Sequence, residues 1–336
     1  MSSTVLVTGG TGFIAQHCII ALLAAGHRVR TTVRSLAREA EVRSYVKTAG
    51  DLTFIAADLS NDAGWSEAAK GCDYAIHPAS PTPSGDQVRL EEWVKPAVDG
   101  NLRVLRASRD AGVKRVVLTS AFGAVGMGHS ASHRRPFDET DWTNLDSPTV
   151  APYQRSKTLS ERASWDWIAK EGGALELAAI NPVAVLGPAL GEDSSHSIAI
   201  VKNLLAGQPI PKINSGYVDV RDVADLHLRA MTDPKAKGER FLAIAGSSMS
   251  MLEVANVLRA RMPAISQKVK TREVPNWVLK LVALRNRRVK GVIGMLGYDM
   301  NATSDKAKRL LGWSPRSRED AIVAAAESLV KLGLVS

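Results

Sequence analysis

The chain opens on Thr4-Val5-Leu6-Val7-Thr8-Gly9-Gly10-Thr11-Gly12-Phe13-Ile14-Ala15-Gln16-His17, and few folds accommodate such a start. Thr4 to Thr8 is a short apolar, β-branched run of the kind that forms a buried parallel strand. Three glycines follow, then an apolar-rich run from Phe13 to Ala25, long enough for a helix, with Gly26 placed to stop it. Strand, glycine turn and helix in this order make a dinucleotide site. The glycines let the backbone approach a pyrophosphate, and the free N–H groups of the helix N-terminus meet its charge. The spacing is Gly9-x-x-Gly12-x-x-Ala15, and Ala15 still permits close helix–strand packing. An ordinary tight turn of an α/β protein is the plainer alternative.

The rest of the chain keeps the same rhythm. Val29 to Val33, Leu52 to Ala57, Tyr74 to His77, Lys114 to Ser120 and Leu175 to Asn181 are expected strands. The segment to Thr48, Asp62 to Lys70, Leu90 to Asp110 (broken near Pro96) and Pro152 to Lys170 are expected helices. Such alternation predicts a doubly wound parallel sheet, the Rossmann fold, with helices on both faces. Residues 121–150 form a connection too long for a simple turn, which marks it as functional. After Pro188 the rhythm gives way to helical pieces joined by Pro- and Gly-rich loops, and Phe241 to Ala245 reads as one more strand returning to the sheet. The expected division is a dinucleotide-binding domain over residues 1–185, with 217–245 returning to it. A smaller, discontinuous substrate-binding portion takes 186–216 and 246–336.

Length, charge and cysteines narrow the function. With 336 residues the chain can bury a large core, as one big domain or two interlocked ones. Its net charge of +9 fits a solvated basic surface or a field that attracts anionic cofactors better than nucleic acid. Only 5% of residues are aromatic, and no stretch interleaves aromatic and basic residues for stacking on bases. Cys18 and Cys72 stand in no zinc-like spacing, so a reducing, cytoplasmic compartment is expected. Neither a secretory leader nor an apolar run near the ~18 residues of a membrane span is expected.

Tyr153-Gln154-Arg155-Ser156-Lys157 carries the chemistry. Tyr and Lys four apart share one face of a helix. A phenol with a free pKa of about 10 is a poor acid or base until tuned. A neighbouring ammonium stabilises the phenolate, and the pair can then relay a proton near neutral pH. A chance pairing on a surface helix is the alternative, but this one follows strand five and the long connection, where a reductase needs it.

With these pieces, the chain resembles the extended short-chain dehydrogenases/reductases, and within them the dihydroflavonol reductase, cinnamoyl-CoA reductase and yeast-type carbonyl reductase group. The matching stretches include Val7 to His17, Arg30 to Arg34, Ala57-Asp58-Leu59, His77 to Pro81, Val116 to Ser120, Tyr153 to Lys157 with Ser160-Glu161, Asn181 to Pro188, and Val218 to Ala224. The resemblance implies NADPH as cofactor, held by Gly9, Gly12, Phe13 and Ile14 at the glycine turn and by Arg34 at the adenosine 2′-phosphate. It places Asp58 and Leu59 at the adenine, Ala79 and Ser80 at the ribose and nicotinamide, and Pro182 to Val185 against the nicotinamide. Ser197 would reach a phosphate, or simply cap a helix, and Asp58 could likewise be a strand-end cap. Lys157 would also hold the nicotinamide ribose. Tyr153, Lys157 and Ser120 form the implied catalytic set, acting on a small-molecule ketone or aldehyde in a monomer or homodimer.

Two positions depart from that pattern. The group usually carries Thr-Ser-Ser at the end of strand five, its last serine donating to the substrate carbonyl; here Thr119-Ser120-Ala121 stands instead. Arg103 occupies a position that is often Asn. A nucleotide-sugar epimerase or dehydratase on the same scaffold is a second reading, opposed by Arg34. A non-catalytic NADP-sensing protein is a third, favoured by Ala121 and opposed by the Tyr153/Lys157 pair. His129 and His133 lack a carboxylate partner, so no metal site is expected. The apolar-then-basic stretch from Trp277 to Lys290 reads as a cover helix with a solvated end, with membrane docking as the alternative.

Overall fold

The computed structural model describes residues 2–81, 89–129, 133, 135–191, 196–285, 293 and 295–335. Seven parallel strands form the central sheet: β1 (Thr4–Val7), β2 (Arg28–Val33), β3 (Leu52–Ala56), β4 (Tyr74–His77), β5 (Arg115–Thr119), β6 (Glu176–Pro182) and, from much later in the chain, Arg240–Ala243. Their order is β3-β2-β1-β4-β5-β6 and then Arg240–Ala243. Parallel pairing throughout sets Val5 beside both Val29 and Tyr74, and Ala179 beside Arg240. This is the doubly wound order of the Rossmann fold, with its reversal point beside β1, where ligands bind at the strands' C-terminal ends. All five residues of β5 are buried, as a strand covered on both faces requires.

The helices α1 (Phe13–Ala24), α2 (Glu39–Tyr45), α3 (Trp65–Ala69), α4 (Leu90–Asp110) and α5 (Pro152–Glu171) alternate with these strands. Gly26 ends the α1 turn at φ +80, as expected. The expected break in α4 is absent: the helix runs through Pro96. Pro96 removes one N–H near the helix start, and packing along α5 outweighs that loss. Asn101 is part of this seam; it is buried and donates to the Ser160 carbonyl and the Ser164 hydroxyl.

The returning strand at Phe241 is present over Arg240–Ala243, against β6. Two small two-stranded pieces lie outside the main sheet: Ala184–Leu186 with Tyr217–Asp219, and Asn214–Ser215 with Met249–Ser250. Further helices are α6 (His196–Leu205), α7 (Val220–Thr232), α8 (Met251–Arg261), α9 (Asn276–Ala283) and two C-terminal ones, Asp305–Leu311 and Arg318–Lys331. The long connection after β5 is tied to this later chain. The Phe137 N–H donates to the Asn301 carbonyl, and the Tyr298 hydroxyl donates to the Gly126 carbonyl. Among the described residues no helix is long and apolar enough to cross a membrane. The basic end expected at Arg287, Arg288 and Lys290 lies outside the described residues; Trp277, Leu281 and Leu284 of that stretch are exposed.

Candidate active site

One cleft of about 840 Å³ opens along the C-terminal ends of β1 to β6. Each strand ends on a residue of its wall: Gly9 after β1, Arg34 after β2, Asp58 after β3, Ala79 after β4, Ser120 after β5 and Pro182 at the end of β6. Gly12, Phe13, Ile14, Leu59, Ser80, Tyr153, Lys157, Val185 and Ser197 line the same cleft. The structure therefore brings every residue named for cofactor or catalysis to one place, although they are scattered from position 9 to position 197.

The turn after β1 is shaped for close approach. Gly9 has φ +68, and a Cβ there would stand 2.9 Å from the Ala79 Cβ. Gly10 presses on β2, where a Cβ would meet the Thr31 hydroxyl at 2.5 Å. The N-terminus of α1 has no side-chain cap at Gly12 and no acidic residue in its first turn. Its first N–H groups are thus available to an anion, and the positive end of the helix dipole adds to the attraction. These features fit a dinucleotide pyrophosphate.

Arg34 is exposed on the rim beyond β2. Arg38, which the sequence reading did not single out, also lines the cleft. It donates to both carboxylate oxygens of Glu41 at 2.6 and 2.7 Å and to the Thr11 hydroxyl at 3.2 Å. Asp58 accepts from the Ser60 backbone N–H at 2.7 Å, which with the Ser60 hydroxyl holds its carboxyl below the usual range; Arg34 adds to this. It therefore also makes the local cap anticipated as its alternative. The Ser197 hydroxyl accepts from the Val185 N–H at 3.2 Å.

Tyr153 and Lys157 stand one turn apart near the start of α5. Trp93 of α4 meets the Tyr153 ring edge-on, with centroids 5.9 Å apart. The tyrosine is 40% exposed, and desolvation by the neighbouring protein raises its phenol. Lys157 is buried, and burial pulls its ammonium down to about 8 while Glu161 opposes the fall. His77 lies buried beneath, held neutral near 3 by burial and then by Lys157. Thr8 accepts from the Ala79 N–H, and its hydroxyl is hydrogen-bonded to His77 Nδ1 at 2.7 Å.

Ser120 lines the cleft with its hydroxyl already engaged. Its hydroxyl donates to the Glu161 carboxylate at 2.5 Å. Ala121, in extended backbone just before a short 3₁₀ turn at Phe122–Ala124, contributes to the cleft wall beside it. Among the described residues no group of three His, Cys, Asp or Glu side chains could hold a metal.

A Rossmann sheet, an uncapped helix N-terminus at a glycine turn and a Tyr–Lys pair in one cleft define a dinucleotide-dependent enzyme of the short-chain dehydrogenase type. The chain belongs to the NAD dependent epimerase/dehydratase family, which it matches over residues 5–244. It is similar to cinnamoyl-CoA reductase 1 of Arabidopsis thaliana, with 34% identity over 306 residues that cover 89% of this chain and 86% of the relative. Among solved structures it is similar to yeast methylglyoxal/isovaleraldehyde reductase Gre2 complexed with NADPH. The TM-score is 0.81 at 26% identity, covering 98% of this chain and 99% of the other. A Gre2–NADPH complex from Candida albicans gives the same TM-score at 27% identity and the same coverage.

Proposed function

We propose that this chain is an NADPH-dependent reductase that converts a ketone or aldehyde to an alcohol. The observation that carries the reading is one continuous cleft with the glycine turn and Arg34 along its walls and Tyr153 and Lys157 beside the end of β6. The first N–H groups of α1 would hold the pyrophosphate, Arg34 and Arg38 the 2′-phosphate, and Lys157 the nicotinamide ribose. Bound NADPH supplies a hydride to the carbonyl carbon. The Tyr153 hydroxyl then gives its proton to the carbonyl oxygen as negative charge builds there. The phenol is protonated at neutral pH and so carries the proton that it gives up. Lys157, cationic below about 8, steadies the phenolate left behind.

In this reading Ser120 makes no contact with the carbonyl oxygen, because its hydroxyl is committed to Glu161. Residues 1–185 and 217–245 form the cofactor domain, and the remaining C-terminal portions shape the substrate side. Two free, buried cysteines support a reducing, cytoplasmic setting.

Transfer of deuterium tests the reading. With NADPH deuterated at the transferable position and a suitable aldehyde, one deuterium should appear on the alcohol carbon. A product without it, or no alcohol from any carbonyl compound offered, would contradict the proposal.

A further inference from the structure

Several buried charges lie outside the chemistry described, and one of them adjoins the turn that carries Lys157. Glu161 is fully buried on α5, one turn beyond Lys157. Its carboxylate accepts from Arg240 Nε at 2.6 Å, from Asn181 Nδ2 at 2.7 Å, from the Ser120 hydroxyl at 2.5 Å and from Trp165 Nε1 at 3.3 Å. Arg240 also donates to the backbone carbonyls of Glu139 and Asp141, at 2.9 Å each, and its guanidinium lies 3.7 Å from the centre of the Trp142 ring. One ion pair therefore joins the catalytic helix, the ends of β5 and β6, the last sheet strand and the long connection. A buried pair of this kind adds little net stability over apolar packing; what it supplies is fixed geometry.

We propose that Glu161, clamped by Arg240, is a positioning residue of the reductase site: its carboxylate fixes the turn of α5 next to Lys157, stands as that lysine's neighbouring anion, and binds the Ser120 hydroxyl. The proposal rests on the reductase reading. Lys157 is faced by Tyr153 and Glu161 from its own helix and by His77 from β4. His77 is neutral and Tyr153 is protonated at neutral pH, so Glu161 is the anion that favours the ammonium among the described residues. Arg240, on the far side of Glu161, offsets part of that field.

The test is Glu161→Gln in the full chain, with NADPH affinity by fluorescence and kcat/KM both followed against pH. Both should fall as pH rises through about 8, where Lys157 loses its proton. In Glu161→Gln this fall should move to lower pH by at least about half a unit, because an anion beside the ammonium is gone. At pH 7, kcat should drop about tenfold or more while the NADPH Kd stays within about threefold, as misplacement of catalytic groups predicts. Glu161→Asp, which keeps the charge, should restore the alkaline limb. If Glu161→Gln does not fold, Glu161→Gln/Arg240→Met removes the unpaired guanidinium and should show the same displaced limb. A folded single or double variant whose limb is unmoved would overturn the proposal, whether or not kcat falls. Failure of the reductase reading is separate: the unaltered protein would oxidise no NADPH with any carbonyl, while the limb of NADPH binding would still report on Glu161.

Discussion

Arg34 stands where β2 ends, on the open rim of the cleft, with Arg38 nearby in the same wall. A charge-assisted contact to a 2′-phosphate is typically worth ~1.5–3 kcal/mol, or about one to two decades in affinity. NADPH should therefore bind more tightly than NADH by that factor, and Arg34→Ala should remove most of the preference; titration of both cofactors checks it. Equal binding of NADH and NADPH by the unaltered protein would refute the assignment. Arg38 is already engaged by Glu41 at two oxygens, so its loss should matter less. Arg34 was legible because it directly follows a strand whose end must face the cofactor. Arg38 was not, because its place in the wall depends on how the chain turns into α2. Nor was the desolvation around Tyr153, which is assembled from distant elements.

At the scale of elements, the parallel strands were readable because each is an apolar run between turn signals, and their bounds moved by only a residue or so. Pro96 misled because its cost is local while α4 is held along its length by α5. The end of β5 shows the same limit. Ser120 and Ala121 are adjacent, and alternation along extended backbone sends their side chains opposite ways. The partner that settles where Ser120 points is 41 residues away, at Glu161. In the proposed mechanism this leaves Tyr153 as the hydroxyl donor to the carbonyl oxygen. Removing one preorganised donor typically costs ~10²–10³ in rate, so restoring one is expected to help. Ala121→Ser should raise kcat on a good carbonyl substrate by at least about tenfold, while Ser120→Ala should change it by less. A hundredfold loss in Ser120→Ala, with no gain in Ala121→Ser, would make Ser120 the working donor.

For the molecule as a whole, two buried histidines tie stability to pH. His77 is lowered to about 3 and His227 to about 4, both by burial. Burial keeps His227 neutral although its Nδ1–H donates to the Val223 carbonyl, which opposes the fall; Nε2 is hydrogen-bonded to the Thr119 hydroxyl. On unfolding each regains its ordinary value of 6.5. As pH falls below that value the unfolded chain takes up protons that the folded chain refuses, so stability is present above it and is lost toward pH 4. The loss reaches roughly 3 kcal/mol per histidine by pH 4. Denaturant midpoints should fall steeply between pH 7 and 4.5, and less steeply in His227→Gln; a flat profile would refute this. The Tyr153→Phe variant separates proton transfer in the cleft from cofactor binding. A panel of ketones and aldehydes, followed at the NADPH absorbance, should show turnover by the unaltered protein. The variant should show none, while fluorescence titration finds its NADPH affinity nearly unchanged, because only the phenol oxygen is gone. Near-normal turnover by Tyr153→Phe would contradict the account.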